Sequence, residues 1–235
     1  MGALKAMKEM PVELAGELEE RYGRYWWPEG MYPEDLDKNP FKNAVVTILS
    51  QNTTEANCIR AYRGLASRFE VTPDALANAN EAELGESIRS GGLYRVKARR
   101  IRRFSKAVLD EHGGDLSPIL DMPKEEARER LMELPGIGEK TADVLLTSRH
   151  TYREVIPVDT HMDRLAKRIG LVEPGAGYEE TQRALISFIP EAVRERASGL
   201  LWLLAKHTCK AGRPRCAECP IIGLCDHGQG TAQRK

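Results

Sequence analysis

The sequence predicts an all-α protein, and three observations carry that reading. Apolar residues recur at i, i+3, i+4 and i+7 in several segments. Capping and stop residues bracket those segments. No run of alternating β-branched residues is long enough for a strand; the best candidate, Val155-Ile156-Pro157-Val158, holds a proline that cannot donate to a ladder. About ten helices joined by short loops are expected.

The elements are taken in chain order. Residues 1–20 mix Lys and Glu with Leu and Met and have no unbroken apolar core, so they are not a signal peptide. No apolar run nears the roughly 20 residues that span a bilayer. A soluble, cytoplasmic protein with no membrane partner is expected. Tyr22, Tyr25, Trp26, Trp27 and Tyr32 form an aromatic stretch, expected to pack between domains. Asn39-Pro40 is a cap followed by a first-turn proline, and Phe41, Ala44, Val45, Ile48 and Leu49 make the stripe behind it. Cys58 reads as a small core residue. Thr72-Pro73 repeats the start signal, and Gly91-Gly92 and Gly113-Gly114 read as stops. Val193, Ala197, Leu200, Leu201, Leu204 and Ala205 form a last stripe that leads into Cys209. Residues 226–235 read as a polar, frayed tail.

The 235 residues suffice for one large domain or two small ones. Lys and Arg number 35, as do Asp and Glu, so net charge is zero and does not point to a partner. Local charge does. Arg95, Lys97, Arg99, Arg100, Arg102, Arg103 and Lys106 follow one another without an acid. Such a run is a solvated helix face or a phosphate-facing surface.

Cys209, Cys216, Cys219 and Cys225 follow the pattern C-x6-C-x2-C-x5-C. Gly212, Pro214, Pro220 and Gly223 let the intervening loop fold back and converge the sulfurs. Disulfides fit least, because nothing marks the chain as secreted. Zinc and a [4Fe–4S] cluster both take four thiolates, and only Cys216 and Cys219 form the short knuckle that zinc sites favour.

Residues 134–142 read Leu-Pro-Gly-Ile-Gly-Glu-Lys-Thr-Ala. Ala127, Leu131 and Leu134 precede the glycines, and Ala142, Leu145 and Leu146 follow, so two helices meet at a turn holding Gly136 and Gly138. Such a turn is an ordinary helical hairpin, or it brings backbone N–H groups and a helix N-terminus close to a phosphate.

The hairpin resembles that of the helix-hairpin-helix DNA glycosylase superfamily, which includes endonuclease III. Val158-Asp159-Thr160-His161, the segment Ile48–Thr54, Gly91-Gly92-Leu93-Tyr94 and the cysteine spacing resemble the same superfamily. The resemblance runs from about residue 40 to residue 225. It implies a two-domain fold, a helical barrel over 33–152 and a second helical domain from 1–32 and 153–235. It implies base excision from damaged double-stranded DNA, oxidised pyrimidines above all, with nicking at the abasic site. It also implies a monomer and a structural [4Fe–4S] cluster on Cys209, Cys216, Cys219 and Cys225, presenting Lys210, Arg213 and Arg215 to phosphates.

The residue types suit that chemistry. A lysine amine attacks the sugar C1′ and forms a Schiff base; Lys140 matches the family's nucleophile. An aspartate takes a proton and stabilises positive charge on the sugar; Asp159 matches it. Without the resemblance, Lys140 reads as a surface lysine. Leu93 matches the family's wedge residue, and by its position alone could be a helix-end staple. His161 and Asp163 read as orienting or capping residues. Two positions depart from the family. Asn52 falls where endonuclease III has Gln, with Gln51 one place earlier. Glu139 replaces a basic residue beside Lys140. Competing readings are a glycosylase without lyase activity, a non-enzymatic DNA-binding module using Gly136 and Gly138 on the backbone, and an electron-transfer protein.

Overall fold

The structure, a computed structural model, describes residues 8–26, 36, 38–147 and 154–232. Trp27 and Tyr32 lie outside the described residues. The chain forms two compact units, Met1–Trp27 with Arg153–Lys235, and Pro28–Tyr152. Helix α1 (Leu14–Tyr22) opens the first unit. The second unit holds α2 (Pro40–Ser50), α3 (Glu55–Ala66), α4 (Pro73–Asn78), α5 (Glu81–Ser87), α6 (Tyr94–His112), α7 (Ser117–Leu120), α8 (Lys124–Glu133) and α9 (Glu139–Thr147). The chain returns to the first unit with α10 (Thr160–Ile169), α11 (Tyr178–Phe188), α12 (Arg194–His207) and α13 (Asp226–Ala232).

Among the described residues no strand forms. Residues 155–158 run as irregular chain, and side chains of α11 take up their backbone groups. The Val158 N–H donates to Tyr178 Oη at 3.2 Å, and Gln182 Nε2 donates to the Ile156 carbonyl at 2.9 Å. The described residues carry thirteen α-helical segments against the expected ten. Some of them, such as the six-residue α4 and the four-residue α7, are too short to show a period.

The predicted starts behave as caps. Asn39 Oδ1 accepts from Lys42 N at 3.0 Å ahead of Pro40. Thr72 Oγ1 accepts from Ala75 N at 3.4 Å ahead of Pro73. Gly113 ends α6 in the left-handed region, and the Gly114 N–H turns back to the Val108 carbonyl at 2.9 Å.

Helix α2 is buried well beyond its predicted stripe, with Val46, Asn43 and Thr47 enclosed too. It packs on α3, α6 and α9, and Phe41 stacks on Phe104 with ring centroids 5.5 Å apart. Helices α4 and α5 also pack on α6, which makes α6 the spine of the unit. Cys58 is buried as expected.

In the first unit α12 is the spine, with α1 and α10 against it. Its stripe Ala197, Leu200, Leu201, Leu204 and Ala205 is buried, while Val193 belongs to a 3-10 turn before it. The described aromatics of the N-terminal stretch pack on α12 of their own unit. Tyr22 meets Thr208 Oγ1 through its hydroxyl at 2.7 Å, Tyr25 stacks on His207 at 4.0 Å, and Trp26 lies over Gly199.

Two further expectations fail. The tail is not frayed as far as Ala232. Residues 226–232 form α13, where Lys8 pairs with Asp226, Gln229 Nε2 donates to the Gly223 carbonyl, and the Gly228 N–H donates to Cys225 Sγ. The cation run is not wholly a surface either, because Lys97 is buried at 1% exposure. Its i, i+4 relation to the buried Ile101 places it on the inward face of α6, where two backbone carbonyls accept its protons.

Helix α3 lies so close to the end of α5 that a Cβ on Gly64 would stand 2.2 Å from the Ser87 carbonyl oxygen. Gly64→Ala is therefore expected to destabilise the protein by about 1–3 kcal/mol. A urea titration would show this as a lower midpoint; an unmoved midpoint would contradict the contact.

Candidate active site and cysteine cluster

The hairpin is built by α8, α9 and the turn between them. The Leu134 carbonyl accepts from Ile137 N at 3.1 Å, and Gly136 takes φ +87°. Leu134 and Ile137 are buried beneath the turn, while Gly136 and Gly138 are exposed. Gly136 rests on the stem of Arg100, and Arg100 and Arg103 share a groove with Pro135–Gly138. Helix α9 opens at Glu139, so its N-terminal turn rises directly from the exposed glycines. Lys140 is its second residue and is half-buried.

Glu139 does not leave an uncompensated carboxylate beside Lys140. Arg128 of α8 reaches it at 3.3 Å and also donates from Nε to Asp143 at 3.0 Å. Asp143 is buried at 1% exposure, so this guanidinium ties the two helices of the hairpin together.

Asp159 sits at the N-cap of α10 in extended backbone. Its Oδ1 accepts from His161 N and Met162 N, both at 2.9 Å. Its Oδ2 accepts from Trp202 Nε1 at 2.8 Å. The carboxylate thus has both oxygens oriented by donors at the positive end of a helix dipole. His161 Nδ1 lies 3.2 Å from the Arg164 guanidinium, and Asp163 pairs with Lys167 at 2.8 Å, so both residues serve the helix surface.

Two loops of the second unit carry the other candidates. Asn52 follows α2 and is exposed, with φ +51°. Gln51 is held instead: its Oε1 accepts from Arg100 at 2.8 Å. That separates the two neighbours, leaving Asn52 as the outward-facing one. Leu93 stands at the N-cap of α6 with φ +48° and 58% exposure, so it staples nothing. Asn52 and Leu93 are the only non-glycine residues with positive φ among those described. The rest of the cation run is partly paired: Arg99 and Arg102 meet Glu81, and Lys106 meets Asp110.

Cys209, Cys216, Cys219 and Cys225 line one cavity, together with the apolar Leu165, Ile221 and Ile222. Arg168 donates to Cys209 Sγ at 3.2 Å, and the Gly228 N–H to Cys225 Sγ at 3.4 Å. Burial pushes the Cys219 thiol up to about 11, with the other three cysteines adding to the rise, and burial also raises Cys225. Among the described residues no group of three His, Cys, Asp or Glu closes on a single metal position.

The loop is gripped from α10. Arg164 donates to the Ala205 and Cys209 carbonyls at 2.8 and 3.0 Å; Arg168 donates to the Cys209, Lys210 and Ala211 carbonyls at 2.8–3.1 Å. These guanidinium groups satisfy carbonyls where α12 ends. Lys210 and Arg213 are exposed, whereas Arg215 is engaged by Glu218 and the His207 carbonyl. Sequence reasoning missed Trp202, Arg128, Arg164 and Arg168. The i, i+4 spacing of the last two was a signal; Trp202 and Arg128 had none, since their partners lie 43 and 15 residues away.

Comparison with known proteins identifies the family. Residues 45–191 match the family described as HhH-GPD superfamily base excision DNA repair protein. Endonuclease III of Bacillus subtilis is 35% identical over 196 residues, covering 83% of this chain and 85% of that protein. Endonuclease III of Thermotoga maritima is 32% identical over 232 residues, covering 96% and 99%. A solved structure of a trapped endonuclease III–DNA covalent intermediate superposes with a TM-score of 0.74 at 27% identity, covering 95% of this chain and 100% of that one. The chain therefore belongs to the HhH-GPD superfamily of base excision DNA repair proteins.

Proposed function

We propose that the protein is a DNA glycosylase with abasic-site lyase activity of the endonuclease III type, acting on oxidised pyrimidines in duplex DNA. The observation that carries the reading is a lysine at the second position of α9, directly behind two exposed glycines. Backbone N–H groups of that turn take a phosphate, with Arg100 and Arg103 alongside. The same turn then sets the Lys140 amine at a fixed reach from the bound strand.

The chemistry derives from the side chains. The Lys140 Nζ lone pair attacks C1′, the glycosidic bond breaks, and its electrons leave with the base. Asp159 stabilises the positive charge that spreads over the sugar ring and accepts the proton that the amine sheds. The C1′–O4′ bond of the sugar then breaks, O4′ takes up a proton, and the nitrogen and C1′ become a protonated Schiff base. It acidifies C2′, whose proton is removed as the 3′ phosphate departs, and water then releases the lysine. Before these steps the base must leave the stack. Asn52 and Leu93, both exposed on left-handed backbone, enter the duplex and fill the gap.

The four cysteines hold a [4Fe–4S] cluster, which supplies the positive core that four thiolates require and ties the loop closed. Around it Arg168 and the Gly228 N–H orient the sulfurs, and Lys210 and Arg213 face outward for phosphate contact. Double-stranded DNA with a damaged base or an abasic site is the partner.

Three outcomes are expected. Borohydride traps a covalent adduct between the protein and abasic DNA, and Lys140→Gln abolishes it; persistent trapping would move the nucleophile to another amine. Asp159→Asn keeps the N-cap, because Asn caps as well as Asp, yet lowers excision by about 100-fold or more through lost charge stabilisation. Retained excision with a normal melt would remove Asp159 from the chemistry. The purified protein is brown and absorbs in the violet-blue, and Cys219→Ser bleaches it and lowers its melting temperature; a colourless, zinc-loaded protein would contradict the cluster.

A further inference from the structure

We propose that Lys97 is a positioning residue that locks the Asn52 loop and the Leu93 loop into one insertion unit. This rests on the reading of Asn52 and Leu93 as the side chains that enter the duplex. Lysine is almost never fully buried, and burying its charge is costly without strong partners. Lys97 is nonetheless 1% exposed. Its hydrogen-bond acceptors are the Leu49 carbonyl at 2.7 Å and the Gly91 carbonyl at 2.9 Å. A site that needed only packing would be better served by an apolar side chain of the same volume.

The two acceptors define what the ammonium does. Leu49 lies in the last turn of α2, three residues before Asn52, where its carbonyl has run out of helical donors. Gly91 closes a 3-10 turn two residues before Leu93. Lys97 also holds Leu93 through the main chain, since its N–H donates to the Leu93 carbonyl at 3.0 Å. One residue of α6 therefore reaches both loops, and Arg100, one turn further along the same helix, adds a hydrogen bond to Gln51. The Gly91 turn is pressed against α3, where a Cβ would come within 3.0 Å of Ala61 Cβ. Shortly after each anchored carbonyl stands a residue in the left-handed region, Asn52 with φ +51° and Leu93 with φ +48°. Such conformations persist where surrounding bonds over-determine them. The geometry of a two-pronged wedge is thereby set before DNA arrives, which spares ordering on binding.

The test separates positioning from folding. Lys97→Met removes the donors and keeps the volume; Lys97→Gln keeps a donor that reaches at most one carbonyl. Each is compared with wild type in single-turnover excision of a paired lesion, and in β-elimination at a preformed abasic site, where no paired base has to be everted. A 2-aminopurine beside the lesion reports unstacking. Lys97→Met is expected to slow excision by about 10- to 100-fold and to weaken the 2-aminopurine signal, with Lys97→Gln between it and wild type. Elimination at the abasic site should change by less than about threefold. Equal loss of both activities would overturn the proposal, because a smaller folded fraction lowers both alike. If Lys97→Met does not fold, Lys97→Gln decides by the same comparison. Leu93→Ala and Asn52→Ala serve as references. If they slow excision and the Lys97 variants do not, positioning by Lys97 is wrong and insertion by the two loops stands. If neither reference slows it, both fall together.

Discussion

An α-helix leaves its first N–H groups and its last C=O groups without internal partners, and a protein made of helices must answer that need at every end. Here the answers coincide with the positions proposed to act. Asp159 caps α10, and its second oxygen is presented to Trp202. The first turn of α9 rises from the exposed Gly136 and Gly138, with Lys140 in it. The last carbonyl region of α12 is taken by Arg164 and Arg168, and the chain passes directly to Cys209. The ends of α2 and of the Gly91 turn are taken by Lys97. The proposed chemistry falls where the backbone already demanded polar partners.

Buried charge is used in two different ways. Arg128 with Asp143 and Glu139 is a compensated network that joins the hairpin's own helices. Breaking it would strand a carboxylate in the core, which makes the hairpin rigid against the phosphate it is read to hold. Among the described residues Lys97 has carbonyl dipoles and no carboxylate as hydrogen-bond acceptors, a weaker form of compensation. Burial accordingly lowers its pKa, with nearby Cys58 opposing the fall and Arg100 adding to it. The two arrangements stiffen adjacent parts of the same unit, the hairpin and the pair of loops.

Helix α10 links two parts of the first unit. Its N-terminus carries Asp159, and one and two turns later Arg164 and Arg168 grip the cysteine loop. Loss of order in that loop would free the guanidinium groups and the C-terminal half of the helix. Tyr22 and Tyr25 add a second brace at Thr208 and His207, the residues just before Cys209. The cysteine loop is thus held from α10 and from the N-terminal segment, far apart in sequence.

Much of this protein was legible from its residues in order. Local signals act over three or four positions, so the stripes of α2 and α12, the caps at Asn39 and Thr72, the turn at Gly136 and the cysteine spacing could all be read along the chain. What lay beyond reach depends on residues brought together from distant places. Lys97 looked like one more cation in a solvated run, and only the packing of α6 against the Leu49 and Gly91 carbonyls turned it inward. The choice of Asn52 over Gln51 rested on register alone until Arg100, 49 positions from Gln51, claimed Gln51. The N-terminal aromatics gave no hint that α12 would receive them, and residues 226–232 became a helix only by seating on the cysteine loop and Lys8. Periodicity and capping are short-range properties of the chain, whereas burial of a charge and choice of a hydrogen-bond partner are settled by neighbours that only the folded chain supplies.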